Sequence, residues 1–449
     1  MELQKERLFS NKMLIRLLIP LVIEQGLSIL VGMCDGVMVS SVGEAAISGV
    51  SLVDMINNVV LTLFAGLATG GAVVTSQFLG AKQLEKAKQS AAQVVTLSFL
   101  TGVAAMALCL IFGHGIMHLL FGSIDQEVMD EGMVYFRITA MSFPFIAVYN
   151  AGAALFRSQG NSKVSMQASL LMNAINVAGN ALCIYGLKMH VEGVAIPTLV
   201  SRAVAAVVIL WLAMRPKEQL RVTPGNLFRI QGKMMGSILG IGIPSAMENS
   251  VFQLGRVVVV SMIALFGTTH TSANAVANAL DSLGIIIGQA VGLGMVTVVG
   301  QCIGAGDTDQ ASYYVKKLML WTYVSQGLVN ILLIIFVRPL VGLYSSLSPE
   351  TAELSRKLVL IHASCGAVLW PAAFVLPNAL RASNDVKFTM VVSIASMICW
   401  RISFSYVLCV NFKMGAVGVW IAMVIDWLCR SAFFVGRMLS GKWKTKYVA

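Results

Sequence analysis

The sequence predicts an all-α polytopic membrane protein, with about twelve transmembrane helices in two pseudo-symmetric six-helix bundles. This class rests on three observations. The 449 residues are 57% hydrophobic and only 12% charged, with a mean hydropathy of +0.80, whereas soluble domains carry about 25% charged residues. Apolar runs of about 20 residues or more, enough to cross a bilayer, recur along the whole chain. Finally, residues 20–87 occur twice, the second copy at 244–311 without a gap.

At a fixed shift of 224, Pro20 falls on Pro244, Glu24 on Glu248, Gly43 on Gly267 and Gly70 on Gly294. Gln77, Gly80 and Ala81 fall on Gln301, Gly304 and Ala305, and further on Arg157 and Lys163 fall on Arg381 and Lys387. Chance pairing of Ala, Val or Leu means little in so apolar a chain. Pairing of Pro, Glu, Gln and Arg at one shift marks a duplicated unit.

Taken in order, the spans are expected near 13–40, 46–78, 90–121, 133–157, 164–187 and 192–214, then near 236–266, 272–303, 314–343, 358–382, 387–411 and 415–438. Helices satisfy their own backbone groups in lipid, so an all-helical bundle follows. The first span is long and lacks a small-residue cleavage site, so it reads as a span and not as a removed signal peptide. The repeats divide the chain into a six-helix lobe at 1–214, a basic linker at 215–235 holding Pro224 and Gly225, and a second six-helix lobe at 236–449. Six spans per repeat make the repeats parallel, related by an axis along the membrane normal.

About 22 of the 32 basic residues fall on one side, among them Lys5, Lys82, Lys163, Lys217, Arg221, Lys316, Lys387 and Lys446. The other side carries the acidic segment Asp125, Glu127, Asp130 and Glu131. Both termini are therefore expected on the cytoplasmic side of the cell membrane. The basic residues form no stripe with interleaved aromatics, which excludes nucleic acid as a partner. The eight cysteines lie in apolar segments without a CxxC pair and read as small buried hydrophobes. His114 and His118 have no third ligand in view. No P-loop, GxSxG or HExxH is present, so neither an enzyme nor a cofactor is expected.

Ten charged residues fall inside spans: Glu24, Asp35, Asp54, Glu248, Asp281 and Asp426, with Arg202, Arg256, Arg401 and Arg430. Each costs about 2.5–3.5 kcal/mol at mid-bilayer even on the lenient insertion scale, so such residues face a bundle interior or a water-filled cavity. Asp426 and Arg430, four apart, can pair with each other. Glu24 and Glu248 sit one turn after prolines that free a carbonyl, and serve either a structural role or cation binding. Asp54-x-x-Asn57 aligns with Asn278-x-x-Asp281, giving each repeat one Asp and one Asn on a single helical face that can line a cavity. Asp35 has no counterpart, its equivalent being Val259, and no basic neighbour in its segment. It is the candidate to take up and release a proton, against the simpler reading of a neutral Asp bonded to a neighbouring helix. Asn173, Asn176 and Asn180 recur at helical spacing, as site residues or as polar glue between helices. Gly66, Gly70 and Gly71 read as close-packing positions.

An ordered set of motifs resembles the multidrug and toxic compound extrusion (MATE) family over nearly the whole chain. These are Pro20-x-x-x-Glu24, Asp35 with Gly43, Gln77-Phe-Leu-Gly80-Ala81, Arg157-Ser-Gln-Gly-Asn-Ser-Lys163, and Asn176 leading to Ile184-Tyr-Gly186. The second half repeats the pattern with Gly242-Ile-Pro244, Phe266-Gly267, Gly300-Gln301-Cys-Ile-Gly304 and Arg381-Ala-Ser-Asn-Asp-Val-Lys387. The resemblance implies alternating access of two lobes, exporting cationic amphiphilic molecules or drugs while protons or sodium enter. It implies cation coupling at Asp35 and at Glu248, with Glu24, Asp54, Asn57, Asn176, Asn180, Asn278 and Asp281 lining the cavity and sodium possible at Glu248 and Asp281. A monomer in the lipid bilayer is expected. Asn180 stands where many relatives carry Asp, and the tenth span lacks the acid of the sodium-coupled branch, which tilts the coupling ion toward protons. The alternative is a flippase for a lipid-linked oligosaccharide, of the same broader superfamily, which would use Arg202 and Arg256 on a pyrophosphate.

Overall fold

Because hydrocarbon offers no partner to a free N–H or C=O, the chain closes its hydrogen bonds within helices. The computed structural model describes residues 7–121, 125–216, 218–344 and 347–445; Lys5, Lys217 and Lys446, used above for orientation, lie outside them. No strand occurs among the described residues. The first repeat folds as α1 (Asn11–Ser40), α2 (Glu44–Gly80), α3 (Leu84–Phe121), α4 (Gln126–Met141), α5 (Phe143–Ser158), α6 (Ser162–Gly186) and α7 (Glu192–Ala213). The short α8 (Pro224–Leu227) lies in the linker. The second repeat folds as α9 (Gly232–Ala264), α10 (Thr268–Gly304), α11 (Thr308–Gly342), α12 (Pro349–Ala382), α13 (Val386–Asn411) and α14 (Ala416–Leu439).

Among the described residues, ten helices are long and apolar enough to cross a membrane, and α4 with α5, bent by 47° at Ser142, form an eleventh span. α9, at 33 residues, is long enough to cross. Glu248, Asn249, Gln253 and Arg256 dilute its apolar run, which is why it stands apart from the other spans. With it, twelve helical segments match the sequence expectation.

The duplication is visible in the backbone. Left-handed φ angles occur at Lys82 (58°) and Gly306 (72°), and at Gly160 (78°) and Asn384 (64°), each pair 224 residues apart. α6 and α13 both end in a π-helical stretch, Leu182–Gly186 and Tyr406–Asn411, starting 224 residues apart. Where the first repeat breaks between α4 and α5, the second keeps one helix and relaxes it through the π-helical stretch Pro371–Val375, the expected response to a proline inside a helix.

The chain forms two compact units. The first is Lys12–Asn249; the second is Met1–Asn11 with Ser250–Ala449. α9 thus contributes residues 232–249 to the first unit and 250–264 to the second. In the first unit, α2 packs on α3, α4 and α5, and α7 packs on α5 and α6; in the second, α10 packs on α11 and α12, and α14 on α12 and α13. Each unit also holds the segment that precedes one of the long first helices. In the first, Gln93 of α3 donates to the carbonyl of Arg229 (2.8 Å) and accepts from the amide of Gln231 (3.0 Å). In the second, the Tyr314 hydroxyl of α11 accepts from the Phe9 amide (2.9 Å) and donates to its carbonyl (2.7 Å), and Arg7 donates to Tyr313 (2.8 Å).

Between helices in lipid there is little hydrophobic drive, so small residues that permit close backbone approach hold them together. The glycines of α2 do this within the first unit. A Cβ on Gly66 would lie 2.4 Å from the backbone of Ala246, and one on Gly70 would lie 2.5 Å from the Ile238 carbonyl oxygen. Gly66→Ala should therefore destabilise by up to about 3 kcal/mol, the upper range of overpacking. Gly236→Ala, with open space around it, should instead gain roughly 0.5–1 kcal/mol of helix propensity. Unfolding of the purified variants in detergent checks both signs; equal effects would discount the close crossing.

Candidate functional site

Asp35, Asn176, Asn180 and Thr198 meet inside the first unit. Asn176 and Asn180 are four apart on α6, so their side chains share a face, and α1 presents Asp35 to it. Asn180 Nδ2 donates to Asp35 Oδ1 at 2.9 Å. The Asn176 amide lies between Asp35 and Thr198, with Nδ2 donating to both carboxylate oxygens at 3.1 Å and its oxygen 3.1 Å from the Thr198 hydroxyl. Two amide donors on one carboxylate stabilise its ionised form through charge-assisted hydrogen bonds. Rotating the Asn176 amide by half a turn reverses the pattern: Nδ2 then donates to Thr198 Oγ1 at 3.1 Å, and the amide oxygen faces Asp35. That orientation accepts a hydrogen bond from a protonated Asp35. An amide is one of the few groups that serves both states from one position, so the cage can hold the acid with or without its proton.

Asp54 extends the cluster on α2. Its Oδ1 accepts from the Tyr135 hydroxyl at 3.2 Å and from Asn57 at 3.4 Å, and Asn57 also donates to Thr139 at 3.3 Å. Arg202 of α7 donates to Ser142 at 2.8 Å and lies within electrostatic reach of Asp35, Asp54 and Tyr135. With both acids ionised the cluster is net negative by one charge; a proton on Asp35 neutralises it.

Glu24 is elsewhere. It lies eleven residues before Asp35 on α1, about 16 Å along the helix axis. It is buried, accepts from Ser165 at 2.8 Å and pairs with Arg157 at 3.4 Å. The link ties α1 to α5 and α6. Asn173 turns to Ser169 (3.5 Å).

The second-repeat residues separate between the units. Glu248 is buried on α9 within the first unit. Asp281 belongs to the second, where it contacts Nδ1 of His362. His362 is 1% exposed and lies edge-on to Trp427, with ring centroids 4.8 Å apart. Asn278 bonds back to the Asn274 carbonyl at 2.7 Å, and Asn274 in turn accepts from Trp420 Nε1 at 2.9 Å. His362 escapes a sequence reading because a lone His in an apolar span is usually a packed core residue. Tyr135 and Thr198 escape it because nothing in their own segments marks them. The expected pair of Asp426 and Arg430 forms at 2.9 Å.

Residues 20–182 and 244–407 each match the MatE family model. The two matches begin 224 residues apart, the spacing of the internal repeat. The chain is 25% identical over 437 residues to the uncharacterized transporter YisQ of Bacillus subtilis, covering 96% of this chain and 94% of that one. It is 25% identical over 447 residues to a probable multidrug resistance protein NorM of Thermotoga maritima, covering 98% and 94%. An outward-facing structure of a multidrug resistance MATE family transporter of the MOP superfamily superposes with a TM-score of 0.89 at 21% identity, covering 96% of each chain. With both repeats matched by the family model and the helices long enough to span a bilayer, the chain belongs to the MatE family and is a multi-pass membrane transporter, not an enzyme.

Proposed function

We propose that this transporter exports organic cations across the cytoplasmic membrane in exchange for protons or sodium. The two repeats, 1–214 and 236–449, act as the lobes of an alternating-access machine, with both termini cytoplasmic. One chain supplies both lobes, so a monomer suffices. The observation that carries the reading is the Asp35 cage: an acid inside a span, held by Asn176 and Asn180, in a cluster whose charge one proton neutralises.

Exporting one positive charge against 100 mV costs about 2.3 kcal/mol, and a cation entering in exchange offsets that. Coupling further requires that the ion prefer one conformation, since a ligand shifts an equilibrium only by its differential affinity for the two states. Protonation of Asp35 reverses the hydrogen bonds at Asn176 and so alters how α1 is tied to α6 and α7. We infer that this reshapes α1 and releases cargo outward. Protons are favoured over sodium because Asn180 contributes a neutral amide beside Asp35.

Fluorescent-cation efflux from proteoliposomes, with proton and sodium gradients imposed separately, tests this. Efflux driven by protons is expected. Efflux driven by sodium alone would move the coupling site to Glu248 or Asp281. No efflux with either gradient would favour the flippase alternative, although Arg202, one of its two arginines, already lies beside Asp35 and Asp54.

A further inference from the structure

We propose that the second unit holds an anion-binding subsite at Arg256 and Arg401, and that transported amphiphiles accepted there carry a carboxylate or similar monoanionic group. The inference rests on the efflux reading and narrows its substrate class.

The charges within electrostatic reach of Arg401 in the second unit are Arg256 and Arg430, against Asp281 and Asp426. Asp426 is already engaged. Asp426 is fully buried, and its Oδ1 accepts from Arg430 Nε at 2.9 Å and from the Ser396 hydroxyl at 2.5 Å. Asp281 contacts His362. Arg401 is only 8% exposed, yet its Nε has no hydrogen-bond partner, and its nearest carboxylate oxygen, Oδ2 of Asp426, is 3.9 Å away. Arg256 is exposed and forms neither a hydrogen bond nor an ion pair among the described residues. It lies within electrostatic reach of Arg401, which it opposes, and of Asp281.

Two guanidinium groups on different spans that oppose each other, with one positive charge left over, form an arrangement that a bound monoanion completes. A guanidinium suits this better than a lysine because its planar fork matches a carboxylate with two parallel hydrogen bonds. Phe252, four residues before Arg256 on α9, shares its helical face. Its ring lies 5.7 Å from the Arg401 guanidinium and edge-on to Phe374. The anion site is therefore bordered by an aromatic surface that suits the apolar part of an amphiphile.

The test uses the full-length purified protein and two probes, rhodamine B, which has a free carboxylate, and rhodamine B ethyl ester, which has the cation alone. Binding is followed by fluorescence polarisation. Arg256→Gln should weaken rhodamine B by about tenfold, the loss of a charge-assisted contact, and leave the ester unchanged. Arg256→Lys, which keeps the charge but not the fork, should fall between the wild type and Arg256→Gln for the acid and guards against a purely steric effect. A wild-type protein that binds the ester but not the acid overturns the subsite and leaves cation efflux standing. Equal loss of both dyes in Arg256→Gln, or no loss of either, also overturns it. Binding of the acid but not the ester supports the subsite and shows that the cation without a carboxylate is not accepted. Binding of neither removes both.

Discussion

Asp35→Asn should reduce proton-driven efflux by about 5- to 150-fold, the range spanned by a lost coupling free energy of 1–3 kcal/mol. The substitution keeps size and shape but removes the ability to lose a proton. An amide at 35 also brings its own NH2 group among the donors of Asn176 and Asn180, which now meet at a carboxylate. Like the protonated acid, it accepts from Asn180 and donates to the rotated Asn176 amide, so α1 stays tied in that single arrangement. Substrate binding in detergent should survive, because the loss is in exchange and not in recognition. The measurement is initial efflux from proteoliposomes at a fixed pH difference, paired with equilibrium dye binding. Wild-type efflux in Asp35→Asn would remove Asp35 from coupling; equal loss of efflux and binding would make it a structural residue.

Asp426→Asn should destabilise the second unit by about 3–5 kcal/mol, the cost of breaking a buried pair by removing one partner. The carboxylate is 0% exposed and is the only acid within 4 Å of Arg430 or Arg401 among the described residues. Without it, two guanidinium groups remain in an apolar interior, supported by Arg430 bonding to the Ser393 carbonyl (3.0 Å) and by the ring faces of Phe252 and Phe374, 5.5 and 5.4 Å away. The double variant Asp426→Leu with Arg430→Leu should recover much of the loss, because an apolar pair of similar volume avoids the uncompensated charge. Unfolding midpoints of the single and double variants form a cycle that isolates the pair. A single-variant loss below about 1 kcal/mol would place the pair with weak, solvent-screened contacts.

The limits of the sequence reading follow from which signals are local. The span pattern is local, since each apolar run declares itself. The repeat is nearly so: a fixed shift of 224 exposes it, and the left-handed backbone at Lys82 and Gly306 obeys the same shift. Asn176 and Asn180 are legible together because helical spacing puts them on one face, and Asp35 is legible because it is an acid in a span. Their meeting with Thr198, and that of Asp54 with Tyr135, depend on helix packing that no periodicity encodes. Arg157 reads in sequence only as a repeated motif residue, yet it ends α5 and pairs with Glu24. Glu248 and Asp281, both second-repeat acids, fall in different compact units. The sequence has no means of showing that a helix as long as α9 is shared between two units.

The binding of residues 7–11 to α11 sets a schedule for the molecule's assembly. Phe9 is synthesised early, and its partner Tyr314 follows 305 residues later. At about 5–20 residues per second, ribosomal synthesis separates the two by roughly 15–60 s. Throughout that interval residues 7–11 have no place to dock. The second unit is therefore closed by a piece of chain made before any of its own helices, and a ribosome stalled before α11 would leave residues 7–11 without their partners.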